Sequence, residues 1–129
     1  MVGILDGATC SGKTAFMRQL LRKFDSNTNC YMDSDDWVEF LVSETSENGT
    51  EKDCVKSAAQ ALSKYNFICI DNMDFLSGRN TIQALSANIF SSLDGVTNVI
   101  VAGIDLKKRL GRMFKVLEEN GTEIMNIDY

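Results

Sequence analysis

An octapeptide near the start of the chain, Gly7 to Thr14, has the residue types and spacing of a phosphate-binding loop. It reads Gly-Ala-Thr-Cys-Ser-Gly-Lys-Thr and fits the pattern Gly-x-x-x-x-Gly-Lys-[Ser/Thr]. In such a loop the Lys13 ammonium neutralises the outer phosphates, and the Thr14 hydroxyl helps to hold Mg²⁺. We therefore expect ATP or GTP to bind here with Mg²⁺, at Gly7, Ala8, Thr9, Cys10, Ser11, Gly12, Lys13, Thr14 and Ala15.

The residues on either side of this loop have the patterns that phosphate binding requires. Val2 to Leu5 is a short apolar run typical of a buried strand, and Lys13 to Phe24 carries its apolar residues on one helical face. A strand that leads into a helix N-terminus points several backbone N–H groups at one spot, where the helix dipole adds positive potential. A chance match in a glycine-rich turn would need neither the strand nor the amphipathic helix.

A second candidate part of the site is the acidic residue Asp71, which directly follows the apolar segment Phe67 to Ile70. An apolar strand followed by an acid has the form of a Walker B strand, whose carboxylate orients the water ligands of Mg²⁺. The alternative is an aspartate that caps a helix or a turn. Gly7, Asp71 and Gly103 all follow predicted strands, and ligands of parallel sheets bind at the carboxyl ends of strands.

The elements that position these residues alternate along the chain. Further strands are predicted at Asn29–Met32, Val99–Ala102 and Glu123–Ile127. We expect a helix through Trp37 to Leu41 capped by Asp35, a loop at Ser43–Thr50, and helices that begin after Asp53, at Thr81 and at Leu106. This alternation predicts an α/β fold, a three-layer αβα sandwich with a mostly parallel five-stranded sheet of the P-loop NTPase type.

Composition limits the other possibilities. The 129 residues correspond to a single nucleotide-binding domain, residues 1–129. Histidine is absent and the four cysteines never form Cys-x-x-Cys, so a zinc site, a disulfide framework and Ser-His catalysis are not expected. No apolar run approaches the ~20 residues of a membrane span, and the N-terminus is not signal-like, which predicts a cytoplasmic protein without membrane contact.

The charge balance bears on nucleic acids. Thirteen basic and eighteen acidic residues give a net charge of −5, so direct DNA binding by this chain alone is not expected. Five basic residues close together in the sequence form either a local basic patch or a solvated helix face: Lys107, Lys108, Arg109, Arg112 and Lys115.

Several segments resemble, in order, the bacterial replication initiator DnaA, an AAA+ ATPase. Asn29 to Leu41 is similar to its second strand and helix, and Ile68 to Leu76 is similar to its Walker B segment. Ser91–Gly95 with Asn98–Asp105 resembles its next helix and sensor strand, and Arg109 to Phe114 the segment that carries its arginine finger.

The resemblance implies a role for each matching residue. Gly7 to Thr14 bind the phosphates, and Asp71 with Thr14 serves Mg²⁺. Asp105 senses the terminal phosphate, and Arg112 reaches the nucleotide of a neighbouring copy, which implies self-association or another protein partner. For Arg112, a surface position on a basic helix is an equal alternative.

Two departures from the family pattern affect the expected activity. The acid that follows the Walker B aspartate is replaced by Asn72, and an amide cannot take a proton from water at neutral pH. We therefore expect slow or absent hydrolysis, unless Asp74 or another carboxylate substitutes. The resemblance ends before the family's helical lid and DNA-binding domain, so a truncated core is expected.

Three functions remain open on these residues. The first is a nucleotide-dependent switch or weak ATPase linked to DNA replication or a mobile element, with Lys13, Asp71, Asn72, Asp105 and Arg112 at its catalytic site. The second is a small P-loop kinase, in which Asp33 to Trp37 would supply carboxylates to a small-molecule acceptor. The third is a regulatory module that keeps the fold and has lost turnover.

Overall fold

A computed structural model describes residues 1–7, 12–22 and 28–127, and within the first helix it leaves the side chains of Lys13, Thr14, Leu20 and Leu21 undescribed. Five strands form one sheet in the order β2-β3-β4-β1-β5. Every pairing is parallel, which confirms the predicted α/β fold. The strands are β1 (Val2–Asp6), β2 (Asn29–Asp33), β3 (Phe67–Asp71), β4 (Asn98–Gly103) and β5 (Ile124–Asn126).

Six helices and one short 3-10 helix, Met73–Leu76, connect the strands in the described part of the chain. The first helix begins at Lys13, as predicted, and its described turns end at Arg22, while Lys23 and Phe24 lie outside the described residues. The helices are α1 (Lys13–Arg22), α2 (Ser34–Glu47), α3 (Glu51–Leu62), α4 (Asn80–Ser92), α5 (Leu106–Arg109) and α6 (Gly111–Glu119).

The start of α2 differs from the prediction. Asp33, rather than Asp35, caps the helix: its carboxylate accepts the Asp36 N–H at 2.9 Å, and the Asp36 carboxylate accepts the Asp33 N–H at 3.3 Å. This reciprocal pair is a capping box, which satisfies two backbone donors that the helix itself leaves without partners. Asp35 lies exposed in the first turn.

Three further boundaries differ. The predicted loop Ser43–Thr50 is helical as far as Glu47, because its polar residues lie on the outer face of α2. Thr50, rather than Asp53, caps α3, and its hydroxyl accepts the Asp53 N–H at 3.1 Å. The single helix predicted to begin at Leu106 is divided at Leu110 into α5 and α6.

The two faces of the sheet carry cores of different size. The larger core packs α2, α3, α4 and α6 on one face around Trp37, Ile70, Phe90 and Val101. On the other face, Met17 of α1 packs with Leu5, Cys69, Ile100 and Ala102. Side chains alternate between faces along a strand, so Ile70 points to the larger core and its neighbour Asp71 to the face of α1. Helices on both faces of the sheet make the predicted three-layer sandwich.

None of the helices described combines the length and the apolar character that crossing a membrane would require.

Candidate nucleotide site at the carboxyl edge of the sheet

The base of the predicted phosphate loop is attached to the neighbouring strand. The Gly7 N–H donates to the Gly103 carbonyl at 3.1 Å and so extends the β1–β4 ladder by one bond. The carboxylate of Asp6 accepts the Leu106 N–H at 3.1 Å, which ties the end of β1 to the start of α5. Asp6 was not singled out from the sequence. Its position between a strand and a glycine loop was the available signal.

The far end of the loop turns into α1 at Gly12. Gly12 has φ +90°, which favours glycine, and open space where a side chain would lie. The Phe16 N–H donates to the Gly12 carbonyl at 2.9 Å, so Lys13, Thr14 and Ala15 form the first turn of the helix. Amides of a first turn have no partner within their own helix and are available to an anion. The predicted residues Ala8, Thr9, Cys10 and Ser11 lie outside the described residues.

Asp71 is a buried carboxylate at the end of β3, with 2% of its surface exposed. Both of its oxygens accept hydrogen bonds: Oδ2 from the Tyr31 hydroxyl at 3.0 Å, and Oδ1 from the Asn72 N–H at 2.9 Å. Asp71 lies on the face of α1, and α1 contacts β3. Since β4 separates β3 from β1, the strand axes of Asp71 and the loop are about 10 Å apart.

Tyr31 is a site residue that the sequence interpretation missed. It lies on β2, opposite Cys69 of β3, and therefore on the same face of the sheet as Asp71. Partial burial, followed by the hydrogen bond to Asp71 and the charge of that carboxylate, raises the pKa of Tyr31 to about 12. The phenol is therefore protonated at neutral pH and donates. The alternation of Tyr31 with Cys30 and Met32 was the signal for its face, but the sequence does not contain the register of β2 on β3.

Asn72 and Asp74 follow Asp71 in a tight turn. Asn72 has φ 59°, in the left-handed region that asparagine and aspartate tolerate better than most residues. Asp74, the acid that could have replaced the family's second carboxylate, accepts the Ile104 N–H at 3.2 Å through Oδ1. Its contact is therefore with the loop after β4.

Asp105 and Arg112 lie on the segment that follows β4. The strand ends at Gly103, so Asp105 is two residues beyond it, exposed, with φ 53°, at the N-cap of α5. Arg112 is exposed in the first turn of α6, which packs on the sheet face opposite α1. Within one copy, Arg112 and the start of α1 are thus on opposite faces. Arg112 also lines a groove of about 420 Å³ with Asn80, Thr81, Asn88 and Glu119.

The buried amide of Gln83 holds this segment in place. Its Nε2 donates to the Leu76 carbonyl at 2.8 Å and to the Arg109 carbonyl at 3.4 Å, and its Oε1 accepts the Met113 N–H at 3.3 Å. One side chain therefore joins the 3-10 helix, the end of α5 and the first turn of α6. Its signal in the sequence was a polar residue within the buried stripe Gln83, Ala87 and Phe90 of α4.

Thiol and metal-cluster chemistry find little support in the described residues. Burial raises the pKa of the Cys30 and Cys54 thiols, and that of Cys69 to about 12, so these thiols are weak nucleophiles. In the described ranges, no three cysteine or acidic side chains lie close enough together to hold a metal ion. A metal at the candidate site would therefore need ligands from the nucleotide and from water as well as Asp71 and Thr14.

The residues fit a nucleotide with Mg²⁺. Gly12 leaves room at the start of α1, where first-turn amides favour an anion. A buried carboxylate lies on the same face at the end of a nearby strand, oriented by two hydrogen bonds.

The strand order, the parallel direction and the Gly7–Thr14 loop between β1 and α1 are those of the P-loop NTPase fold. Within that fold, the chain has the architecture of domain III of DnaA. The solved domain III of Thermotoga maritima DnaA has a TM-score of 0.68 and 16% identity, covering 98% of this chain and 54% of that one. At this identity the likeness shows the fold.

Two other solved structures give the same result. A replication initiator DnaA bound to AMPPCP and single-stranded DNA has a TM-score of 0.67 and 19% identity, over 99% of this chain and 40% of that one. AMPPCP-bound DnaA from Aquifex aeolicus has a TM-score of 0.63 and 21% identity, over 98% and 40%. The chain thus spans 40% to 54% of the solved chains it resembles. No protein-family model and no curated protein sequence gives a match.

Proposed function

We propose that this protein binds ATP or GTP with Mg²⁺ at the carboxyl edge of its sheet and acts as a nucleotide-dependent switch with slow hydrolysis. The observation that carries the proposal is the placement of Asp71. It is buried at the end of β3, on the face of the helix that the Gly7–Thr14 loop opens. A phosphate cradle and a fixed carboxylate on one edge are what Mg²⁺-nucleotide binding requires.

Each residue has a role that follows from its chemistry. First-turn amides and the Lys13 ammonium hold the phosphates, and Thr14 with Asp71 holds the metal and its waters. The metal, when bound, neutralises charge on the β- and γ-phosphates. For Asp105, the resemblance to DnaA, rather than its own chemistry, implies that it senses the terminal phosphate from the loop after β4.

Slow hydrolysis follows from positions 72 and 74. Asn72 has no proton-accepting carboxylate, and Asp74 is engaged with the Ile104 N–H. A bound triphosphate would therefore persist, which suits a switch better than a motor. The fold is shared with DnaA structures described as bound to AMPPCP, which supports nucleotide binding and suggests a role in DNA replication or on a mobile element.

The kinase alternative is disfavoured by the N-terminus of α2. Asp33 and Asp36, two of the three carboxylates that could deprotonate an acceptor hydroxyl, form the capping box of that helix. Trp37 is buried and donates to the Ser86 hydroxyl at 2.8 Å. Only Asp35 of the three remains outside the cap.

Arg112 would act between copies. Its exposure, and its position on the opposite face from α1, match a residue that reaches the nucleotide of a neighbour. Size measurements with and without nucleotide test this: we expect a larger assembly with Mg²⁺-ATP, and an Arg112→Ala variant with unchanged nucleotide affinity.

The decisive experiment measures ATP and GTP binding with Mg²⁺, followed by phosphate release alone and with a panel of nucleosides. Binding with little release supports the switch, and release that requires an acceptor supports the kinase. Lys13→Ala should abolish binding, while Lys56→Ala, a matched change on the exposed side of α3, should leave it intact. Wild-type protein that binds neither nucleotide would overturn the proposal.

A further inference from the structure

We propose that Tyr31 is a positioning residue of the metal site, whose hydroxyl holds the Asp71 carboxylate in the orientation that receives the water ligands of Mg²⁺. This inference rests on the proposed nucleotide function and adds a residue from β2 to a site otherwise built from β1, α1 and β3. The geometry that carries it is the 3.0 Å hydrogen bond between two neighbouring strands.

The strand register brings the two side chains together. Tyr31 pairs with Cys69, and Asp33 pairs with Asp71 two residues further along both strands. Because side chains two residues apart on a strand share a face, Tyr31 and Asp71 lie on the same face of the sheet. Its ring extends towards the carboxyl edge and delivers the hydroxyl to Oδ2 of Asp71. Tyr31 lies on the same face of the sheet as Cys69, which packs with Met17 of α1.

The hydrogen bonds constrain both oxygens of the carboxylate. The backbone N–H of Asn72 holds Oδ1, and the phenol of Tyr31 holds Oδ2. Rotation of the carboxylate about its own bond would break both of these hydrogen bonds. Mg²⁺ demands near-ideal geometry, and removal of the outer-shell groups that orient its ligands commonly changes metal affinity 10- to 100-fold. Asp71 would be such a group, and Tyr31 holds it in place, so we expect an effect at the lower end of that range.

Tyr31 is 41% exposed, so the hydrogen bond is not explained by burial of a phenol that needs a partner. An exposed tyrosine can satisfy its hydroxyl with water. That it donates instead to a carboxylate with 2% exposure points to the need of Asp71 for a fixed orientation.

The test removes one oxygen atom. Tyr31→Phe keeps the ring and deletes the donor, and the matched control Tyr65→Phe makes the same change at a tyrosine that packs against the core on the opposite face. Affinity for a fluorescent ATP analogue is measured with Mg²⁺ and with a chelator, and thermal unfolding reports whether each variant is folded.

For Tyr31→Phe, we expect metal-free affinity to stay at the wild-type value, while the gain in affinity from Mg²⁺ falls about tenfold. Tyr65→Phe should retain the full gain. In an Asp71→Asn background, Tyr31→Phe should have no additional effect on the Mg²⁺ gain, because the group it positions has lost its charge.

The outcomes separate this role from the proposed function. Wild-type protein that fails to bind nucleotide overturns the nucleotide function and with it the role of Tyr31. A wild type that gains affinity with Mg²⁺, and a Tyr31→Phe variant that gains equally, overturn the role of Tyr31 alone. Equal loss of metal-free and Mg²⁺-dependent affinity would also overturn it, because that pattern indicates a purely structural contribution.

Discussion

Asp74 lies so close to Gly103 that a methyl group on Gly103 would be 2.6 Å from the Asp74 carboxylate oxygen. The same methyl group would be 2.6 Å from a Leu106 methyl carbon and 3.1 Å from the Asp74 backbone nitrogen. The turn after β3 and the loop after β4 are therefore packed without a gap.

Gly103→Ala should destabilise the fold. Its new methyl group meets backbone as well as side-chain atoms, so relief requires a shift of the Asp74 turn, at a cost of about 1 to 3 kcal/mol. Gly111→Ala is the matched control, because Gly111 has open space and begins α6. Chemical denaturation of both variants measures the difference. A Gly103→Ala protein as stable as Gly111→Ala would contradict the close packing.

Gln83→Leu should cost about 1 to 3 kcal/mol of unfolding free energy, because the buried N–H of Met113 loses its acceptor. The Leu76 carbonyl loses one donor but still accepts the Arg79 N–H at 3.0 Å. Leucine fills a similar volume, so the loss reports the hydrogen bonds more than the packing. Gln60→Leu on the exposed side of α3 is the control and should change stability little. Equal stability of the two variants would show that Gln83 is not the connection described.

Asn72→Asp tests the cause of slow hydrolysis. The left-handed φ of 59° accommodates aspartate as well as asparagine, so the backbone is expected to remain unchanged. A carboxylate able to accept a proton from water should raise phosphate release about a hundredfold in an assembly where Arg112 reaches its neighbour. Asn72→Gly, which keeps the conformation and adds no acid, should stay slow. Unchanged release by Asn72→Asp in a demonstrated oligomer would rule out this role of position 72.

The raised pKa of Tyr31 predicts a dependence of stability on pH. In the unfolded chain a tyrosine loses its proton near pH 10, whereas Tyr31 in the fold keeps it up to about 12. Its contribution to stability is thus fully present below pH 10 and is lost as the pH rises towards 12. The difference in unfolding free energy between wild type and Tyr31→Phe should shrink across that window. A difference that stays constant would contradict the raised pKa.

The positions of the strands along the chain could be predicted because the signal for a strand is local. Phe67 to Ile70 is apolar at every position, as a strand covered on both faces must be, and the acid after it fell at the expected edge. The alternation of strands with helices, together with the phosphate-loop pattern, then predicted the fold class.

Helix boundaries were less accessible because two residues competed for each cap. Asp33 and Asp35 are both good N-cap residues for α2, and Thr50 and Asp53 are both good N-cap residues for α3. Which of the two caps the helix depends on the backbone conformation at which the preceding segment enters it. Ser43 to Glu47 was predicted to be a loop because every residue there is polar. Polar residues also occur on the outer face of a helix, and these residues form the last turn of α2. The break at Leu110 has no proline to announce it.

The partners of Asp71 were beyond reach for a different reason. Tyr31 and Asp71 are 40 positions apart, and only the β2–β3 register places them together. The connection made by Gln83 likewise depends on how α4 and α6 pack. Interactions between distant segments are determined by the tertiary arrangement, which a single sequence does not list.

Of the described helices, α1 alone packs against its side of the sheet, over a core of five buried residues. This lone helix is also the one whose first turn would face the proposed nucleotide. Under the proposed function, a bound triphosphate would hold the end of α1 against the strands, so nucleotide binding and retention of this thinner layer would be coupled. Hydrogen exchange in α1 should then slow as the concentration of free nucleotide rises. Mass action requires this of any ligand that binds only the form in which α1 is packed against the sheet.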